Sequence, residues 1–243
     1  MTDAASSPPW PRFLLCGDAA LTVELGEAVD RRVSAKVVRL HRHLSSHPLP
    51  GVCETLPAFR SLLLRYDPRA TSPEVLEEAL AAIIAGMSDE PLPARRWTLP
   101  VCYAAEFGLD LAEVAEHCSL SPDEVIGAQA EATYYVYMLG FLPGHPYMGD
   151  LPASLHMPRR KEPRTRVPQG SLAIATSYAI IYPLDCPGGW NVIGRTPAPM
   201  FDASAAEPAL LAPGDEVRFV PITLAEYEKL AASGGGARLE AGE

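Results

Sequence analysis

Between Tyr134 and Asp202 the chain falls into short apolar runs: Tyr134 to Leu139, Leu172 to Ala175, Ala179 to Tyr182, and Val192 to Ile193. They are rich in Tyr, Val and Ile, and the turn formers Pro143-Gly144 and Pro187-Gly188-Gly189 separate them. Runs of this length and composition, punctuated in this way, predict a compact antiparallel β-domain with its polar side chains on the turns. Arg159, Arg160, Arg164, Arg166 and Arg195 fall in this stretch, together with Tyr147, Gln169, Ser171, Tyr182, Trp190, Asn191 and Thr196. Loops carrying chemistry on a rigid β scaffold are the expectation.

The chain ahead of this stretch has a different rhythm. Phe13 to Cys16 and Leu21 to Leu25 read as strands joined at Gly17-Asp18, the second alternating Leu21, Val23 and Leu25 with Thr22 and Glu24. Asp30 stands where a helix cap is needed, because Val33, Val37, Leu40 and Leu44 then repeat at helical spacing. Val52 to Leu56 and Arg60 to Tyr66 give two more strands, and Ser72-Pro73-Glu74 opens a second helix with a cap, a first-turn proline and an early acid. The core face of that helix is Val75 or Leu76, with Ala79, Leu80, Ile83 and Ile84, and Gly86 ends it. The order ββαββα predicts a small α+β domain. A polar, Pro-rich segment, Ser88 to Ala94, marks the boundary, dividing the chain into 1–92 and 93–243.

The second domain opens with a strand at Trp97 to Tyr103 and two short helices, Asp110 to His117 and Ser121 to Ala130. Ser121-Pro122-Asp123-Glu124 is a capping box with proline at the first helical position. After the central β stretch come a late strand within Leu210 to Val220 and a helix at Leu224 to Ala232. The Pro-rich N-terminus and the Gly-rich tail from Ser233 are expected to fray.

A hydrophobic fraction of 48% over 243 residues is ample for packed cores. The formal net charge of −10 argues against nucleic acid or an anionic membrane as partner, since both need a basic face. Cys16, Cys53, Cys102, Cys118 and Cys186 are scattered singly, without metal-finger spacing, so neither a disulfide framework nor a metal site is expected. His41, His43 and His47 are not spaced to share one helix face and read as exposed side chains. No signal sequence or long apolar run is present, which predicts a cytoplasmic protein.

Three long motifs carry a resemblance: GF-x-PG-x-x-YMG at 140–149, PR-x-x-x-PR-x-x-VP-x-GS at 158–171 and YP-x-x-x-PGGW-x-x-IGRTP at 182–197. With GDAALTVELG at 17–26, ETLPAFRSLLLRYDP at 54–68, LPVCYAAEFGLDL at 99–111 and LLAPGDEVRF at 210–219, the chain resembles the KipI/allophanate hydrolase subunit 1 family. That family includes a subunit of bacterial ATP-dependent 5-oxoprolinase, a carboxyltransferase-related segment of urea carboxylase and an inhibitor of a sensor histidine kinase. The resemblance implies a cyclophilin-like β-barrel for 93–243. It also implies a role beside carboxyltransferase-like C-type and A-type subunits in opening 5-oxoproline to glutamate, with kinase inhibition or a urea or amide carboxylase-hydrolase system as alternatives. The chain has no G-x-x-x-x-G-K-[ST] phosphate loop and no Met-Lys dipeptide of a biotin-attachment domain, so ATP would be used in the assembled complex and biotin is not expected here.

The candidate catalytic residues are Arg195, Tyr147 and His145, and the candidate binding residues are Arg164, Gln169, Gly170, Ser171, Tyr182, Trp190 and Thr196. A guanidinium grips a carboxylate or phosphate with two parallel hydrogen bonds, which singles out Arg164 and Arg195 for a small anionic or amide substrate. Arg195 reads equally as a clamp on loop carbonyls, and Arg159, Arg160 and Arg166 read as loop ties or solvated charges. His145 and Tyr147 are placed to hold a carbonyl or oxyanion, although relatives commonly carry Phe at the His145 position. The Gln169-Gly170-Ser171 turn offers backbone N–H groups and a hydroxyl for a substrate oxygen. Trp190 is a pocket wall or a plug of the barrel end.

Overall fold

The computed structural model describes residues 10–90 and 92–240, so most of the Pro-rich N-terminal stretch lies outside the described residues. The chain divides into two units, Met1–Pro93 and Ala94–Glu243.

The first unit runs β1 (Arg12–Leu15), β2 (Ala20–Glu24), α1 (Arg31–Ser46), β3 (Val52–Pro57), β4 (Ser61–Tyr66) and α2 (Pro73–Ala85). Its strands pair antiparallel in the order β1-β2-β4-β3. The Asp30 carboxylate accepts from the Val33 N–H at 2.8 Å, and Ser72 caps α2 with Pro73 in the first turn. Val37, Leu40, Leu44, Leu76 and Leu80 then meet Leu21, Val23, Leu62, Leu64 and Tyr66 of the sheet. Each buried aliphatic side chain contributes roughly 1.5–3 kcal/mol, which is what holds so small a layer together. Of the two residues left open for the α2 core face, Leu76 is buried and Val75 is 59% exposed. The α1 histidines stay apart from any common site: His41 Nδ1 lies 2.8 Å from Thr55 Oγ1, while His43 stacks on His47.

The second unit contains β5 (Arg96–Cys102), α3 (Leu111–Cys118), α4 (Pro122–Glu131), β6 (Tyr134–Leu139), β7 (Pro146–Gly149), β8 (Arg164–Val167) and β9 (Ser171–Ala175). It continues with β10 (Tyr178–Ile181), β11 (Cys186–Gly188), β12 (Asn191–Arg195), β13 (Glu216–Ile222), α5 (Leu224–Ala232) and β14 (Arg238–Leu239). Seven strands form a ring, β12-β9-β10-β7-β6-β13-β5, closed by the pairing of Arg195 in β12 with Cys102 in β5. A closed barrel leaves no open edge in the ring.

The stretch from Tyr134 to Asp202 is antiparallel as expected, since β6, β7, β10, β9 and β12 pair antiparallel in turn and β8 pairs antiparallel with β11. The barrel as a whole is mixed, because β13, outside that stretch, runs parallel to β5 from Glu216↔Arg96 to Ile222↔Cys102. A parallel pair needs a long crossover, and here the whole motif-bearing stretch supplies it, so no local signal near β13 betrays its direction. Contrary to expectation, the Gly-rich tail is not wholly frayed: Gly234, Gly235 and Gly236 take positive φ and turn the chain back, so that β14 pairs with β5. Residues 241–243 of that tail lie outside the described residues.

Strands β9, β10 and β12 of the barrel are buried on both faces. Leu172, Ile174, Ala179, Ile181 and Ile193 point into the main core with Val136, Met148, Val217 and Phe219, and α3 and α4 add Leu111, Val114, Ala115 and Val125. Their alternates Ala173, Ala175, Ile180, Tyr182 and Val192 form a second cluster with Val167, Cys186 and Trp190, beneath the two-stranded β8/β11 ribbon. This explains why the central runs read as continuously apolar instead of alternating. At one edge, fully buried Asp215 accepts both branches of the Arg95 guanidinium at 2.9 Å, the Trp97 indole N–H at 3.1 Å and the Ala212 N–H at 2.8 Å.

Candidate functional site

Below the ribbon, on the outer face of the barrel, lies a pocket of about 200 Å³ lined by Phe141, His145, Tyr147, Arg159, Ile180, Tyr182, Pro187, Gly188, Gly189 and Trp190. The β6–β7 turn supplies Phe141 and His145, and β7 supplies Tyr147. Gly188 is required at its position, because a Cβ there would collide with the Tyr182 hydroxyl and ring. Phe141 carries a φ of +72° and is 67% exposed at the lip. A bulky residue held in the left-handed region costs of order 1–3 kcal/mol and is typical of a functional turn.

His145 is the centre of this pocket. Its ring centroid lies 5.1 Å from that of Tyr147, 5.4 Å from Tyr182 and 5.6 Å from Phe141. Only 1% of the residue is exposed, yet neither ring nitrogen has a hydrogen-bond partner within the protein. Burial pushes the imidazole pKa down to about 4, so the ring is neutral across the physiological range. Burial moves the phenols the other way: Tyr182 is pushed up to about 12, and Tyr147 is raised against the opposing charge of Arg159. The pocket is therefore bounded by a neutral imidazole and two protonated phenols.

The remaining candidates gather beside this pocket in a second group. Ser171 and Arg195 are cross-strand partners in β9 and β12, so their side chains leave the same face. The Tyr182 N–H donates to the Ser171 carbonyl at 3.0 Å from the neighbouring strand, so Tyr182 borders both groups. Ser171 Oγ and Arg195 Nε are buried without a hydrogen-bond partner. The Arg195 guanidinium lies 4.6 Å from the Phe107 ring centroid and forms no ion pair with any described residue.

The backbone of the Gln169-Gly170-Ser171 turn is not free for a substrate oxygen, contrary to expectation. The Gln169 N–H donates to Asp185 Oδ1 at 2.7 Å, the Gly170 N–H to the Tyr182 carbonyl at 2.8 Å and the Ser171 N–H to the Pro168 carbonyl at 3.2 Å. The Gly170 carbonyl, in a residue at φ +79°, accepts the Thr196 N–H at 2.9 Å, and a Cβ on Gly170 would strike the Thr196 carbonyl. Thr196 Oγ1 in turn accepts the Ala198 N–H at 3.2 Å. Gly170 and Thr196 thus shape the turn, and the Ser171 hydroxyl is its uncommitted polar group.

Arg164 stands apart from the pocket. Its two terminal nitrogens meet the two oxygens of Asp110 at 2.8 and 2.6 Å, and Arg160 adds a third contact at 2.6 Å. Asp110 is 2% exposed and occupies the N-terminal cap position of α3, but its carboxylate takes the Val192 N–H of β12 at 2.7 Å instead of capping the helix. This one carboxylate ties α3, β12 and the 158–164 segment together. Arg166 pairs with Asp185 at 2.6 Å. The sequence reading missed Asp110, whose sequence context signals only a helix start, and Phe141, which its own motif names. Arg159, which reads from the sequence as a loop tie or a solvated charge, lines the pocket. Among the described residues no group of His, Cys, Asp or Glu is arranged to hold a metal, the five cysteines are free, and no helix is long and apolar enough to cross a membrane.

The fold recurs among known proteins. Residues 11–211 match the family described as carboxyltransferase domain, subdomain C and D, and the chain belongs to that family. The chain is 38% identical over 225 residues to the B-type 5-oxoprolinase subunit of Bacillus subtilis (strain 168), covering 87% of this chain and 92% of that protein. With the B-type 5-oxoprolinase subunit of Escherichia coli O157:H7 the identity is 39% over 211 residues, covering 86% and 95%. Among solved structures, TTHA0988 superposes with a TM-score of 0.75 at 36% identity over 84% of this chain, which spans 40% of that longer protein.

Proposed function

We propose that this chain is the B-type subunit of an ATP-dependent 5-oxoprolinase. The observation that carries this reading is the length of the match: two relatives named as B-type 5-oxoprolinase subunits align along 92% and 95% of their own sequences. The reaction opens a five-membered lactam. Its C–N bond breaks, one water gives a hydroxyl to the acyl carbon and a proton to the nitrogen, and a second water is consumed as ATP is hydrolysed to ADP and phosphate.

The pocket supports this role through its size and polarity. At about 200 Å³ it falls below the roughly 300–1,000 Å³ that enclose drug-sized ligands, so it suits a small ring and not a nucleotide. Trp190, Tyr147 and Tyr182 supply flat walls, and His145 supplies an unspent hydrogen-bonding group for an amide. Arg195 and Ser171 extend the same face as a second polar group. ATP use belongs to the assembly with the carboxyltransferase-like C-type subunit and the A-type subunit.

The test is reconstitution. The chain co-expressed with C-type and A-type subunits is expected to hydrolyse ATP in proportion to added 5-oxoproline and to release glutamate. An assembled complex whose ATP hydrolysis ignores 5-oxoproline removes the assignment.

A further inference from the structure

The arginines around the pocket are not equivalent. Arg160 is committed to Asp110 and Glu113, Arg164 to Asp110 and Arg166 to Asp185, while Arg195 lies over Phe107. Arg159 alone of the arginines between 158 and 166 forms no ion pair with a described residue. Its guanidinium sits 5.2 Å from the centroid of the Trp190 ring and lines the pocket mouth. It is the one charged side chain among the pocket-lining residues. The same residue also borders a neighbouring groove of about 460 Å³ with Pro158, Lys161 and Asn191.

We propose that Arg159 selects a carboxylate on the ligand of this pocket, gripping it at the mouth while the uncharged ring enters among Tyr147, Tyr182 and Trp190. This rests on the 5-oxoprolinase reading and deepens it, since 5-oxoproline is a lactam bearing one carboxylate. Three observations converge on it. The guanidinium lies over the Trp190 ring and has no ion-pair partner among the described residues, so its fork remains open for two parallel hydrogen bonds, the geometry a carboxylate matches. Behind the pocket wall lies a buried, unpartnered, neutral imidazole, a polar group that cannot neutralise an anion. The phenols of Tyr147 and Tyr182 are protonated and uncharged, so the carboxylate meets no repulsion within the pocket. A ligand with an anionic and an amide end therefore has one orientation that satisfies both.

The proposal is tested by direct binding, measured by ligand-detected NMR titration of the full chain with 5-oxoproline and with 2-pyrrolidinone, the same lactam without its carboxylate. Arg159→Gln is expected to weaken 5-oxoproline at least tenfold and to leave 2-pyrrolidinone unchanged. Arg159→Lys keeps the charge without the fork and should fall between. Arg166→Gln, which removes the same charge a short distance away, should leave both ligands as they are and so separates contact from general electrostatics. Equal weakening of both ligands by Arg159→Gln, no weakening of either, or a wild-type chain that does not bind 5-oxoproline would each overturn the proposal. Reconstituted ATP hydrolysis responding to 5-oxoproline decides the wider assignment independently, so the two failures are distinguishable.

Discussion

Replacing His145 by Phe gives the sharpest test of how this pocket is built. The imidazole pKa drops from 6.5 to about 4 because burial penalises its charged form. Above pH 6.5 the ring is neutral in both folded and unfolded chains and the shift costs nothing. As pH falls through 6.5 the unfolded chain takes up a proton that the folded chain refuses, so stability is lost progressively until the pH approaches 4. At about 1.36 kcal/mol per unit, the full shift is worth roughly 3 kcal/mol, of which a little over 1 kcal/mol is lost between pH 7.5 and 5.5. Phe cannot titrate, removes two unpartnered buried nitrogens and has the adjoining pocket to expand into. Urea unfolding of wild type and His145→Phe at both pH values isolates the histidine, because every other group titrates alike in the two proteins. The wild type should lose about 1 kcal/mol more than the variant on acidification, and at pH 7.5 the variant should be no less stable by more than about 1 kcal/mol. Parallel losses in the two proteins would refute the argument and mean that His145 is hydrated or paired in solution.

Other substitutions separate structure from binding. Asp110→Asn removes the charge that Arg160 and Arg164 share; because those arginines keep some solvent, the expected destabilisation is about 2–4 kcal/mol, read by urea unfolding. Arg195→Lys forfeits the stacking on Phe107, about 0.5–1 kcal/mol, and should cost activity of the reconstituted complex well beyond that small drop in thermal midpoint. A large drop in midpoint with activity per folded molecule intact would make Arg195 a structural clamp. Gly188→Ala drives a methyl into the fully buried Tyr182 ring and should cost about 1–3 kcal/mol while abolishing lactam binding; an unchanged affinity would exclude Tyr182 as a pocket wall.

The legibility of this chain follows how far apart the interacting residues are. Asp30, Ser72 and the Ser121/Glu124 box announce helix starts because a cap and its acceptor lie within four residues, and all three cap as read. The seven-strand closure was not readable from pattern, since β12 meets β5 and β13 meets β5 across most of the domain. Nor was the fate of Arg164. Its partner Asp110 is 54 residues away, and a guanidinium in a loop reads the same whether it waits for a ligand or is already saturated. The Gln169-Gly170-Ser171 turn misled for a related reason: glycine signals a tight turn, but which N–H groups that turn consumes depends on Asp185 and Tyr182, distant in sequence. His145, Tyr147, Tyr182 and Trp190 were nameable together because each sits within a long motif, whereas Arg159, in the same motif as Arg164, became distinct only once Arg160, Arg164 and Arg166 were seen to be paired.

The chemistry of the pocket lining bears on why such a chain works as a subunit. Opening a lactam requires activating water and protonating the departing nitrogen. A histidine pushed down to about 4 is a weak base near neutrality and is not protonated to act as an acid, and phenols raised by burial surrender no proton there. The lining includes no carboxylate or thiol. Neither the imidazole nor the phenols of this lining are thus tuned to transfer a proton near neutrality. Under the proposed 5-oxoprolinase function, this lining is assigned binding and positioning, and the base and the phosphoryl chemistry are assigned to a partner.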